Sequence, residues 1–369
     1  MRRVLTNEGG HSASLMSQPG PACEAHNLRL LFSPMDLDCK QRIMNSKIAV
    51  VIPSYRVRRH ILQVLANVGA EIWRVYVVDD CCPDHSGDFV KQNCSDPRVF
   101  VLRNETNQGV GGAVKTGYAQ AIKDGATVIV KMDGDGQMDP RLINHFVEPI
   151  FADRADYTKG NRYYDLSVIS RMPRVRIFGN AVLSIMAKLS TGYWDLFDPT
   201  NGYTAIHANV AERLPFNKIS NGYFFETDML FRLSTFRALV RDVPMDAVYN
   251  DDVSNLRISE IWGEFLRKHS GNFFKRIFYN YFLRDFTIAS LELIVGSLMI
   301  AFGVCYGGYH WISSALENKI TPAGTVMLAA LPVLFGVQLV LAFFNFDIAS
   351  VPKSAIHRHL LKPDRSSDA

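Results

Sequence analysis

Val128-Ile129-Val130-Lys131-Met132-Asp133-Gly134-Asp135-Gly136-Gln137 decides how the rest of the chain is read. An apolar run ends abruptly in two carboxylates one residue apart, with glycines between and after them. Such a run suits a buried strand, and a chain leaving a sheet edge needs glycine there. Alternate residues of an extended chain point the same way, so Asp133 and Asp135 can converge on one hard cation. Magnesium held by one or two carboxylates completes its shell with water and substrate phosphates. The stretch is therefore a candidate metal–diphosphate site, with a solvated Asp-Gly turn as the competing reading.

Working outward, the flanking sequence alternates short β-branched runs with helical patterns. Ile48 to Ile52, Val75 to Val78, Val99 to Leu102 and Thr127 to Met132 read as strands. Val57, Ile61, Leu62, Leu65 and Val68 mark one face of a helix, and a second helix runs from Gly111 to Lys123. Fully apolar strands alternating with helices imply an α/β fold with a mostly parallel sheet covered on both faces. Ligands on such sheets gather beyond the carboxyl ends of the strands. Pro53-Ser54-Tyr55, Asp79-Asp80, Asn107 to Gly112 and the two aspartates all fall there. Asn107-Gln108-Gly109-Val110-Gly111-Gly112 opens a helix and could offer backbone N–H groups to a phosphate. It lacks both the P-loop ending and the dinucleotide glycine pattern, and a plain helix-start loop reads equally well.

Lys and Arg number 40 against 36 Asp and Glu in 369 residues, and there is no zinc-finger or basic-zipper spacing, so nucleic acid is not an expected partner. The six cysteines lack zinc-ligand spacing and read as reduced thiols. Residues 1–46 show no periodicity; they read as a disordered extension or as a stretch ahead of a start at Met44. After Glu292 the chain runs to Leu316 without a charged residue, and a second such run goes from Ile320 to Phe346. Each exceeds the roughly 20 residues that a spanning helix needs. Arg267, Lys268, Lys275, Arg276 and Arg284 precede the pair, and Lys353, Arg358, Lys362 and Arg365 follow it. The positive-inside rule then makes a multi-pass protein of the cytoplasmic (inner) membrane, with the catalytic domain and both termini in the cytoplasm. Apolar pairs recurring among basic residues from Ile258 to Phe286 suit helices lying at the headgroups of the bilayer. Glycines in the spans permit close helix packing, and with it a homo-oligomer.

Ile52-Pro53-Ser54-Tyr55, Val78-Asp79-Asp80, Asn107-Gln108-Gly109, Met132 to Gln137 and Gly160-Asn161-Arg162-Tyr163 occur in an order that resembles family 2 glycosyltransferases of the GT-A fold. Asp198-Pro199-Thr200-Asn201-Gly202-Tyr203 and Tyr223-Phe224-Phe225-Glu226-Thr227-Asp228 extend the likeness towards dolichol-phosphate mannose synthase and bacterial polyprenyl-phosphate glycosyltransferases. The organisation so expected is an extension over 1–46, a GT-A catalytic domain over 47–257, juxtamembrane amphipathic helices over 258–285, two transmembrane helices over 286–350 and a cytoplasmic tail over 351–369. The resemblance implies that Pro53, Tyr55, Val77 and Asp80 surround the base and ribose of a nucleotide-sugar. Asp133, Asp135 and Gln137 would hold Mg²⁺ or Mn²⁺ against the diphosphate, beside Gly134. Arg162 would face the phosphates, and Glu226 and Asp228 would border the sugar or the acceptor phosphate.

The chain departs from the family at Arg56-Val57, where an acidic ribose contact is missing, and at Cys81-Cys82-Pro83. Near Ser254-Asn255-Leu256 the mannose synthases carry an arginine, which Arg257 would replace. Arg171, Arg174 and Arg176, at the start of an apolar helix, would receive the acceptor phosphate or serve as membrane-surface charge. The expected reaction is inverting transfer of a hexose, from a donor of the GDP-mannose or UDP-glucose type, to a polyprenyl phosphate. Alternatives are transfer to a sugar hydroxyl with Asp228 as base, and a non-catalytic membrane-tethered nucleotide-sugar-binding protein.

Overall fold

Alternation along three apolar strands builds the core. The structure, a computed structural model, describes residues 37–164, 174–246 and 258–360. In chain order the elements are α1 (Leu37–Met44), β1 (Ile48–Ser54), α2 (Ile61–Ala66), β2 (Arg74–Asp79), α3 (Ser86–Asn93), β3 (Val99–Arg103), α4 (Val110–Lys123) and β4 (Val128–Lys131). There follow α5 (Ile143–Phe151), β5 (Tyr157–Asn161), α6 (Arg174–Thr191), β6 (Thr204–His207), α7 (Ala208–Ala211), α8 (Phe225–Thr235) and β7 (Val240–Pro244). Last come α9 (Ile258–Phe278), a π-helical turn (Tyr279–Arg284), α10 (Ile288–Leu316) and α11 (Ala323–Ala349).

The strands form one sheet of order β3-β2-β1-β4-β6-β5-β7. Ile48, Val50 and Ile52 point into a cluster with α2 and α5, while Ala49 and Val51 point into the opposite one with α4 and α8. A sheet buried on both faces explains the unbroken apolar runs. β1 is parallel to β2 and β4, β6 is antiparallel to β4 and β5, and β5 is parallel to β7. Only β6 therefore runs against the rest. Its amino end lies at the rim where β4 and β5 terminate, and both Lys131 and Lys159 register with Thr204.

Three boundaries differ from the sequence reading. Residues 37–44, counted with the extension, form α1, which buries Cys39 and Ile43 against the core. Two contact residues are too few to give a periodicity. The helix expected from Val57 shortens to α2. Residues 351–360, counted as tail, return to the globular domain, where Val351, Ile356 and Leu360 pack on the core and His357 bonds to Asp156 at 2.8 Å and to Asp153 at 3.0 Å. The remainder of the expected extension, 1–36, lies outside the described residues.

Two helices, α10 and α11, are long and apolar enough to cross a membrane. They cross where Gly296 faces Gly336: a Cβ on Gly296 would stand 2.9 Å from the Gly336 carbonyl oxygen, so the backbones meet directly. α9 leads into this hairpin and leaves Leu266, Phe274 and Phe278 exposed, as α6 leaves Phe178 and Ile185.

Candidate active site

β4 delivers its carboxylates to the rim above a charge that the apolar pattern hides. Lys131 is the last residue of β4 and is buried, yet its ammonium donates to Asp133 Oδ1 at 3.0 Å and to Glu226 Oε1 at 3.1 Å. Burial alone would lower this lysine, but Asp133 and Glu226 carry it above the usual lysine range. Gly202, just ahead of β6, completes the enclosure. A Cβ there would stand 2.8 Å from Asp133 Oδ2 and press on the Lys131 ammonium. A side chain at this position would split the pair.

Asp135 accepts the Gln137 backbone N–H at 3.0 Å, which turns the loop back beside Asp133. Burial holds the Asp135 carboxyl above the usual carboxylate range against that N–H, and neighbouring Asp133 adds to the rise. Both aspartates and Gln137 remain partly open to solvent, while Gly134 lies over Ile52, Val57 and Ile61. Oxygen donors of this kind fit Mg²⁺ or Mn²⁺. No three His, Cys, Asp or Glu side chains converge into a preformed metal cage among the described residues. A cation here must complete its shell with water or a ligand's oxygens.

The adjoining strands supply the next layer. Arg162, just past β5, grips the fully buried Asp198 with Nε to Oδ2 at 2.7 Å and Nη2 to Oδ1 at 3.1 Å. Much of its hydrogen-bonding capacity is thus spent inside the protein. Lys159 is buried beside it, donates to the Asn201 carbonyl, and is pushed down to about 8 by burial. Asp242 on β7 accepts from Asn161 at 3.2 Å and from the Phe197 N–H at 2.9 Å, and burial pushes it up to about 7.

The structure separates Glu226 from Asp228. Both lie in the first turn of α8, but two residues along a helix turn through about 200°. Glu226 meets Lys131 at the rim. Asp228 instead accepts from the Ser220 N–H at 2.9 Å and from Asn272 of α9 at 3.0 Å. Its carboxylate anchors α9 and does not share the rim with Glu226.

On the nucleotide side, Pro53, next to last in β1, is half-buried and Tyr55 is exposed, with the Arg56 guanidinium 5.5 Å from its ring. Val77 is fully buried in the core, behind the rim. Asp80 accepts from Asn104 at 2.7 Å and from the N–H groups of Gln108 and Gly109 at 3.0 and 2.7 Å. The N–H groups of Gly111 and Gly112 go to the Asn221 carbonyl, at 2.7 and 3.2 Å. Of the two readings of the Asn107–Gly112 loop, the plain helix start is the one these bonds favour: at four of its positions the N–H groups are already taken. Arg171 and Arg257 lie outside the described residues, as does the side chain of Arg176, whereas Arg174 is exposed at the start of α6.

Residues 49–214 match the model of Glycosyl transferase family 2. Over this segment the globular domain is similar to family 2 glycosyltransferases. Over 206 residues the chain is 29% identical to an undecaprenyl-phosphate mannosyltransferase of Micrococcus luteus, covering 55% of this chain and 84% of that one. It is 26% identical over 218 residues to a UDP-N-acetylglucosamine–dolichyl-phosphate N-acetylglucosaminyltransferase of Methanococcus voltae, covering 55% and 86%. The crystal structure of Mycobacterium tuberculosis glucosyl-3-phosphoglycerate synthase with Mn²⁺, UDP-glucose and phosphoglyceric acid shares the GT-A fold, with a TM-score of 0.50 at 16% identity over 66% of this chain and 85% of that one.

Within the glycosyltransferase domain, sequence reasoning assigned no role to Lys131, Lys159, Asp198 or Asp242. The available signal was a lysine interrupting an otherwise apolar strand, since such a residue is buried only when paired.

Proposed function

We propose that this chain transfers a hexose from a nucleotide-sugar to a polyprenyl phosphate carried in a bilayer, at its cytoplasmic face, with inversion at the anomeric carbon. The single observation that carries the reading is the placement of α8. One carboxylate of its first turn joins the Asp133 rim, and the next fastens α9, the helix that leads into the apolar hairpin. A water-soluble acceptor gives no reason for that connection. The relatives named for transfer to undecaprenyl and dolichyl phosphate support the acceptor class.

A divalent cation, Mg²⁺ or Mn²⁺, held by Asp133, Asp135 and Gln137, would stabilise charge on the departing diphosphate. The residues of the chain supply position. Lys131 bridges Asp133 and Glu226 and fixes both in the cleft, so neither needs to reorganise when substrate arrives. Arg162 is pre-oriented by Asp198, with its outer edge towards the donor phosphates, and Tyr55 and Pro53 face the base. The acceptor phosphate is already anionic at neutral pH, so its oxygen attacks the anomeric carbon without a strong general base. The bond from that carbon to the diphosphate breaks as the new one forms, and no glycosyl-enzyme intermediate arises. Donors of the GDP-mannose or UDP-glucose type fit this arrangement equally.

Both ends of the hairpin return to the glycosyltransferase domain, α9 on one side and residues 351–360 on the other. The basic residues that flank the spans support a cytoplasmic position for that side. The test is to incubate the purified full chain with a panel of radiolabelled nucleotide-sugars and undecaprenyl phosphate. A lipid-linked sugar released by mild acid is expected. Donor binding with no lipid product, or sugar attached to a hydroxyl, would refute the reading.

A further inference from the structure

Asp347 is the only charged residue of α11, and it is spent entirely inside the protein. Arg276 of α9 grips it with two prongs, Nη1 to Oδ1 at 2.6 Å and Nη2 to Oδ2 at 3.0 Å. The Tyr281 hydroxyl donates to Oδ1 at 2.6 Å and the Trp194 indole N–H to Oδ2 at 2.9 Å. Arg276 Nε donates to the Leu189 carbonyl of α6 at 3.1 Å. The two side chains are 1% and 3% exposed. One carboxylate from an apolar helix therefore joins α9, the π-helical turn and the glycosyltransferase domain.

Stability alone does not call for this arrangement. A buried ion pair can often be replaced by well-packed apolar residues at little cost, whereas its directional bonds fix one relative placement of the elements they join. One turn before Arg276, on the same face of α9, Asn272 holds Asp228 of α8, and the same turn of α8 presents Glu226 to Lys131 and Asp133. We infer that the Arg276–Asp347 pair is a positioning device that sets the height and tilt of the sugar-transfer cleft over the bilayer, so that a membrane-borne acceptor phosphate meets the rim. For the acceptor, this inference rests on the proposed function.

The test compares the parent chain with the Arg276→Leu/Asp347→Leu double variant, full length. Turnover is measured with polyprenyl phosphate in phosphatidylcholine–phosphatidylglycerol vesicles and with a short-chain, water-soluble prenyl phosphate. In parallel, with Cys23, Cys94 and Cys305 replaced by serine, energy transfer from a fluorophore on the exposed Cys81 to headgroup-labelled lipid reports the height of the cleft. The expected result is at least a tenfold loss with the vesicle acceptor and a broadened height distribution. Turnover with the soluble acceptor and donor affinity should stay within about twofold. Equal losses with both acceptors, or full vesicle turnover with an unchanged distribution, would overturn the inference. If the parent chain glycosylates neither acceptor, the acceptor reading fails and the height distribution alone decides the role of the pair. Should the double variant not fold, Arg276→Lys keeps the charge, loses the two-pronged geometry and serves the same comparison.

Discussion

Among the described residues, two of the buried clusters of charge are finished to different degrees. At the base of the hairpin, the oxygens of Asp347 meet a guanidinium, a phenol and an indole N–H, and neither Arg276 nor Asp347 reaches solvent. At the rim, one ammonium serves Asp133 and Glu226, Asp135 lies beside them, and the Asp133 side chain is 31% exposed. The first cluster is closed and can only hold elements together. The second keeps negative charge and solvent-facing oxygens in reserve. Chemistry belongs where the protein leaves its charges unfinished.

Substitutions in the two clusters should therefore fail in opposite ways. Asp135→Asn should reduce sugar transfer on the order of a thousandfold, the rate equivalent of about 4 kcal/mol, because it removes a ligand for the cation. Thermal unfolding should stay near that of the parent. A matching loss of stability would erase the distinction between the clusters. Arg276→Ala should do the reverse, stranding Asp347 without a counter-charge at about 3–5 kcal/mol of stability while donor affinity in the folded fraction is kept. Unfolding in detergent and a donor titration on the same sample read both quantities.

Lys131→Met sharpens the contrast, because Lys131 is the finished part of the rim. It should cost about 2–3 kcal/mol, because Asp133 and Glu226 then lose the ammonium that bridges them. An unchanged melting temperature would mean that Lys131 serves packing only. The smallest effect is expected at Asp242, pushed up to about 7. The unfolded chain releases this proton near pH 4 and the folded protein holds it until about 7, so native stability falls as pH rises through that interval. Asp242→Asn should remove the fall and gain about 1–2 kcal/mol at pH 8 with no gain at pH 4. Melting curves across that range check it.

The sequence made the first four strands legible because their apolar runs are continuous, and the hairpin legible because its runs are long. β5 and β6 escaped, since Tyr157–Asn161 carries a buried Lys159 and Asn161 and Thr204–His207 is too short to show a period. Asp133 and Asp135 were visible as a local pattern. Their partnership with Glu226 was not, because the Lys131 bridge joins residues 95 positions apart. Asp228 looked equivalent to Glu226 in the linear motif, and only the turn of α8 sends it to the other side, towards α9. The Asn107–Gly112 loop shows the converse, since a phosphate cradle and a plain helix start read equally well in the sequence. Glycines announced available N–H groups, but the fold had already assigned them to Asp80 and to the Asn221 carbonyl.

The central claim is that Asp133 and Asp135 hold a divalent cation against a nucleotide diphosphate. Calorimetric titration of the detergent-solubilised full chain with UDP and with GDP, each with and without Mn²⁺, addresses it most directly. At least one nucleotide should bind tightly to the parent only when Mn²⁺ is present, and the Asp133→Asn/Asp135→Asn variant should lose that dependence while remaining folded. Undiminished Mn²⁺-dependent nucleotide binding in the double variant would contradict the account.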